Sequence, residues 1–135
     1  MIEPGQIYKH PFTLTQKQVE DFATVTGDFN PLHLDETFAA STPFKKPIVH
    51  GFLGGSVFSK ILGTLFPGEG TVYLKQTMEF VRPMYVETGY EAIMEVKEVE
   101  KDKNKALIQT TIVDAQVQKI VVRGEATVMN KEKIR

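Results

Sequence analysis

Residues 51–66 constrain the fold more than any other part of the chain. Across Gly51-Phe52-Leu53-Gly54-Gly55-Ser56-Val57-Phe58-Ser59-Lys60-Ile61-Leu62-Gly63-Thr64-Leu65-Phe66 only Lys60 is charged, and apolar or small residues occupy every helical face. A helix that is apolar all round is a buried helix, so the rest of the chain must be wrapped about it. Gly54, Gly55 and Gly63 lie inside this stretch, each costing about 1 kcal/mol of helical propensity relative to alanine. That cost predicts a close approach to the helix backbone, by a sheet or by a ligand.

What could wrap the helix is written downstream, where the period switches to two. Val72, Leu74, Met78 and Phe80 alternate with Lys75, Thr77 and Glu79, and Tyr90, Ala92, Met94 and Val96 alternate with more polar neighbours. A polar turn at Lys101–Lys105 leads to a strand from Ala106 to Asp114. A last strand near Gln118–Met129 sets Ile120, Val122, Ala126 and Val128 against Lys119, Arg123, Glu125 and Thr127. Long strands joined by short turns predict an antiparallel sheet with one covered face, and one helix against such a sheet is an α+β arrangement.

Upstream, residues 6–14 read as a first short strand broken by Pro11. A helix is expected over Thr15–Thr26, with Thr15 and Gln18 at capping-box spacing, Val19, Phe22 and Ala23 on one face, and Gly27 as its stop. Asp28-Phe29-Asn30-Pro31-Leu32-His33 is expected to be a loop, because Pro31 biases Asn30 away from helix. A short helical turn is expected over Asp35–Ala40. The polar tail, residues 130–135, is expected to fray. With 135 residues and no repeat, low-complexity tract or linker, residues 1–135 make one domain.

Composition removes several function classes. Sixteen basic residues face seventeen acidic ones, so neither nucleic acid nor a membrane surface is an expected partner. The chain has no cysteine, hence no disulfide, thiolate metal site or cysteine nucleophile. No basic-then-apolar leader or long apolar span is present, and the cytoplasm is the default expectation. His10, His33 and His50 show no HExxH or close pairing, so no metal is expected. No Gly-x-Ser-x-Gly elbow or phosphate-binding glycine loop is present either.

Three features remain that could carry chemistry. Asp28 and His33 flank a turn set by Asn30-Pro31, and a carboxylate beside an imidazole can pass protons near neutral pH. Asp-x-Asn-Pro is also a good turn in its own right, and a lone histidine is more often structural than catalytic. His50-Gly51 opens the apolar helix, where free N–H groups can hold a developing oxyanion; equally, Gly51 could serve only a tight turn, with His50 a packed neighbour. Ser59 is of interest for its place on the apolar helix, although such a serine often bonds its own preceding turn.

Taken together, these residues resemble the MaoC-like, R-specific enoyl-CoA hydratases. The likeness runs through Phe22–His33, continues at Phe38-Ala39-Ala40, Pro47-Ile48-Val49-His50-Gly51, Leu62-Gly63, Pro67–Thr71 and Phe80-Val81-Arg82-Pro83, and so covers about Pro4 to Met129. The Asp-x-Asn-Pro-x-His motif followed by His-Gly is far more specific than either part. The resemblance implies a hotdog fold, a curved antiparallel sheet around one long helix, and a homodimer with acyl tunnels near the subunit interface. It implies Asp28 and His33 as catalytic groups, the Gly51 N–H as oxyanion donor and Ser59 as a supporting serine. Asn30, His50 and Leu62 are the candidate substrate-binding positions, with Leu62 bordering the acyl tail. It implies no cofactor, coenzyme A entering only as the thioester substrate. Two departures stand out: Glu87-Thr88-Gly89 replaces a common Gly-Asp, and Gly54-Gly55 replaces bulkier residues, which bears on chain-length preference. The rival readings are a 3-hydroxyacyl-[acyl-carrier-protein] dehydratase docking through Lys45-Lys46 or Lys101–Lys105, a hotdog thioesterase, and a non-catalytic acyl-CoA-binding protein.

Overall fold

The computed structural model describes residues 1–135. In β3 (Tyr90–Glu100), Tyr90, Ala92, Met94 and Val96 are buried while the residues between them are only half-buried, so the alternation in the sequence becomes one dry face. β4 (Lys105–Asp114) lies against β3, and β5 (Ile120–Met129) against β4. The edges are β1 (Ile7–Phe12), paired to β3, and β2 (Val72–Phe80), paired to β5. All four pairings are antiparallel, in the order β1-β3-β4-β5-β2.

Helix α4 (Gly51–Lys60) continues into a wider π-helical turn over Ile61–Leu65. Val57, Phe58, Ile61 and Leu62 enter one core cluster with Met94, Ile108, Ile112, Val122 and Val128 from the sheet. This is the α+β, helix-on-curved-sheet arrangement of the hotdog fold. Each fully buried Leu, Ile or Phe contributes about 1.5–3 kcal/mol.

The helix is not buried all round, however. Phe52, Ser56, Ser59 and Lys60 are exposed. Its glycines divide in the same way. A Cβ on Gly54 would stand 2.7 Å from Met84 Sδ, and one on Gly55 would strike Met78 Sδ, whereas Gly63 has nothing within 4 Å. Methionine side chains, rather than sheet backbone, fill the space that two of the glycines leave.

Helix α1 (Gln16–Thr26) starts as expected, with Thr15 and Gln18 completing a reciprocal capping box. It is followed by α2 (Pro31–Leu34) and α3 (Glu36–Ala40), the latter capped by Asp35. Pro11 does not break β1 but pairs with Glu91 inside it, because an edge strand tolerates a missing N–H on its open side. β2 does not bury its alternating set either. A bulge between Tyr73 and Lys75 shifts the register, and at the sheet edge Val72, Tyr73, Leu74 and Phe80 stay exposed.

The tail is anchored rather than frayed. Ile134 is fully buried in the core cluster. Asn130 Nδ2 donates to Glu69 O at 3.1 Å and Thr71 Oγ1 at 3.0 Å, and Asn104 Nδ2 donates to Ile134 O at 2.7 Å. One apolar residue in a polar segment suffices when it reaches the core. No helix is long and apolar enough to cross a membrane.

Candidate active site

The site begins where α1 ends. Gly27 takes φ 81°, a left-handed conformation that favours glycine, and its N–H closes the helix on Ala23 O at 2.8 Å. The chain then makes two successive side-chain turns: Asp28 Oδ1 accepts from Asn30 N at 3.2 Å, and Asn30 Oδ1 accepts from Leu32 N at 3.0 Å. Asn30 has φ −52° and ψ 122°, non-helical as a residue before proline should be. The expected loop nevertheless becomes helical at Pro31, because proline is well suited to the first position of a helix. His33 therefore projects from a short helical turn, and Asn30 is that turn's cap.

His33 and His50 are buried, whereas Asp28 is exposed. His33 Nδ1 lies 2.8 Å from Ile48 O. A carbonyl can only accept, so Nδ1 carries the proton and the neutral ring keeps its lone pair on Nε2. His50 Nε2 lies 3.1 Å from Asp28 O, which by the same reasoning fixes the opposite tautomer. The two imidazoles stack with centroids 3.9 Å apart and 30° between planes. One donor atom from each of Asp28, His33 and His50 lies within 4.8 Å of the others. A water making two hydrogen bonds of about 2.8 Å spans such a gap.

The three groups open on a cavity of about 450 Å³ whose walls are mainly apolar, including Phe22, Phe44, Phe52, Phe80, Met84 and Val122. Arg82 stands on the same wall, its Nη1 donating to Ile120 O at 2.6 Å. Gly51, the first residue of α4, also lines it, and the first N–H groups of a helix have no intrahelical partner. A side chain at residue 51 would meet Phe80 Cε1 at 2.8 Å. Burial pushes the His33 imidazole below its ordinary 6.5, while the bond to Ile48 and the Asp28 carboxylate oppose it. His33 is therefore neutral at physiological pH, as a base should be.

The chain as a whole is similar to known proteins. The model of the MaoC like domain matches residues 2–119. The chain belongs to the MaoC-like domain family. It is 42% identical over 127 residues to an (R)-specific enoyl-CoA hydratase of Aeromonas caviae, covering 94% of each chain. It is 38% identical over 115 residues to a 3-hydroxybutyryl-CoA dehydratase of Methylorubrum extorquens, covering 85% of this chain and 72% of that one. The solved (R)-hydratase of A. caviae superposes with a TM-score of 0.91 at 41% identity, covering 96% of this chain and 97% of the other.

Within this MaoC-like domain, Asp28, His33, His50 and Gly51 meet at one cavity, and Asn30 holds the turn between the first two. Ser59 and Leu62 lie elsewhere. Ser59 is eight residues beyond Gly51, about 12 Å further along the helix axis, and lines a second, more open groove with Ser56, Tyr73 and Gln76. Leu62 is fully buried in the core. Sequence reasoning gave no site role to the Ile48 carbonyl that orients His33, or to Met84 and Phe80, which form the cavity wall. The glycines at 54 and 55 signalled a close approach, but nothing in their spacing identified which side chains would make it.

Proposed function

We propose that this chain is an (R)-specific enoyl-CoA hydratase, adding water to trans-2-enoyl-CoA to give (R)-3-hydroxyacyl-CoA. The observation that carries the reading is the meeting of the Asp28 carboxyl and the neutral His33 imidazole at the mouth of an apolar cavity. The extent of likeness to the A. caviae hydratase supports it.

In the proposed reaction a water held between Asp28 and His33 forms a C–O bond to C3 of the enoyl thioester and gives up one proton to the pair. The electrons of the double bond move toward the thioester oxygen, where the Gly51 N–H at the start of α4 stabilises the developing charge. The pair returns a proton to C2 on the same face, so its protonation is restored. Base and acid are roles of the pair. Hydration needs nothing beyond water, proton carriers and an oxyanion donor, so no cofactor enters; coenzyme A is part of the substrate.

We also propose a homodimer, with a second copy covering the exposed side of α4 and the open edge of β2, where Phe52, Tyr73 and Leu74 lie uncovered. Ser59 would then sit under the partner as a supporting residue. Among the lysines that a carrier-protein dehydratase could use for docking, Lys101 pairs with Glu3 at 3.3 Å, Lys103 with Glu100 at 3.4 Å, and Lys46 sits 4.6 Å over the Tyr85 ring. These contacts leave the lysines at the surface, and it is the likeness to proteins named for CoA substrates that favours a CoA thioester over a carrier protein. The retention of both Asp28 and His33 favours turnover over mere binding.

The test follows loss of enoyl-thioester absorbance over a ladder of chain lengths, with chiral resolution of the product and a free-thiol assay alongside. The expected result is (R)-3-hydroxyacyl-CoA without thiol release. An (S) product, or CoA release without hydration, would overturn the reading.

A further inference from the structure

His50 is the one buried group at the site that the proposed reaction does not use. It occupies the N-cap of α4, where Ser, Thr, Asp or Asn would ordinarily bond the first helical N–H groups, yet its side chain makes no cap bond. Instead the ring reaches 22 residues back, placing Nε2 3.1 Å from the Asp28 carbonyl. Phe22 packs on it with centroids 4.8 Å apart, and His33 stacks on it at 3.9 Å. Only 2% of the residue is exposed, and its Nδ1 is buried without any hydrogen-bond partner.

These observations constrain one another. The carbonyl of Asp28 fixes the proton on Nε2. A second proton would have to sit on Nδ1, which has no acceptor, and would place a cation in a buried slot against the His33 ring. A neutral His50 therefore has one strong polar contact and one strong stacking contact, and they go to the two residues the reaction relies on. We propose that His50 is a positioning residue: an imidazole that pins the Asp28 backbone through Nε2–H and braces the His33 ring, keeping the carboxylate and the His33 Nε2 within reach of one water. The charged groups sharing the cavity with His33 are Asp28 and Arg82. Neither makes a hydrogen bond to the His50 ring through its side chain.

The inference rests on the proposed hydratase reading for its kinetic part alone. Two variants separate the contacts. His50→Phe keeps a stacking ring and loses the donor, and His50→Gln supplies an amide N–H near where Nε2–H stood. On crotonyl-CoA, His50→Phe is expected to lower kcat on the order of 10²-fold, the scale of a small misplacement of reacting groups, with KM within about threefold. His50→Gln is expected to recover most of that loss. Equal activity of His50→Phe and wild type, or no recovery by His50→Gln relative to His50→Phe, would overturn the assignment. A second readout needs neither substrate nor a variant. Imidazole ¹⁵N spectra of the wild-type protein at neutral pH should show His50 as the Nε2–H tautomer. An Nδ1–H tautomer overturns the proposal even if the chain proves to catalyse another reaction. Absence of hydration by wild type with the spectrum as expected would instead fault the functional reading.

Discussion

Two grooves of similar volume, about 450 and 430 Å³, flank α4, and Phe52 borders both. The first receives the N-terminal end of the helix and contains two buried imidazoles and a carboxylate. The second runs along the helix flank against β2, and its polar groups are the hydroxyls of Ser56, Ser59 and Tyr73, the Gln76 amide and Lys75, with no carboxylate or imidazole. One helix thus presents its unpaired N–H groups to a site equipped for proton transfer, and its small side chains to a surface suited to being covered. The contrast teaches that burial alone does not mark function here. What separates the grooves is whether proton carriers from different segments converge.

The largest expected effect tests that separation directly. Asp28→Ala and His33→Ala should each lower the hydration rate about 10²–10⁴-fold, the usual reach of acid–base catalysis, whereas Ser59→Ala should stay within about tenfold, as measured by steady-state turnover of crotonyl-CoA. A loss at Ser59 equal to that at His33 would make the second groove part of the chemistry. Next in size is a stability contrast on the same helix. Leu62→Ala removes a fully buried side chain and should cost about 2–5 kcal/mol in urea unfolding, while the exposed Ser59→Ala should stay within about 0.5 kcal/mol.

Not all of this was legible in the sequence. The capping box of α1 and the dry face of β3 follow from local spacing, and they appear where spacing put them. The helical turn at Pro31 is hard to read from sequence because the residue before a proline and the proline itself have opposite helix preferences. β2 was misread because alternation says nothing about whether a strand lies at an edge or carries a bulge. The pairing of Asp28 with His33 was visible as a motif. The His50 stack on His33 was not, since it joins side chains 17 residues apart across two segments. Ser59 enters the candidate site through the resemblance and its place on the apolar helix, and the structure sets it on an exposed flank.

A smaller effect concerns pH. With the His33 value held below 6.5 by burial, the acid limb of kcat/KM should have its midpoint below 6.5. The stability linked to keeping His33 neutral is present above 6.5 and is lost as pH falls through the depressed folded value. Unfolding free energies at several pH values should accordingly depend less on pH in His33→Ala than in wild type. An acid limb centred above 6.5 would mean that the buried groove does not desolvate its base. The smallest expected effect separates the glycines. Gly63 has open space around it and an ordinary backbone, so Gly63→Ala should stabilise the fold by up to about 1 kcal/mol. Gly54→Ala must displace Met84 from the wall of the first cavity and should destabilise; thermal unfolding compares the two.

The central claim is that Asp28 and His33 act on one water from one side of the substrate. Hydration of crotonyl-CoA in D₂O, with the deuterium at C2 located by proton NMR relative to the new C3 hydroxyl, tests it. Deuterium and hydroxyl added to the same face is the result this geometry requires. Addition to opposite faces would contradict it, because no proton donor would then stand where the reaction needs one.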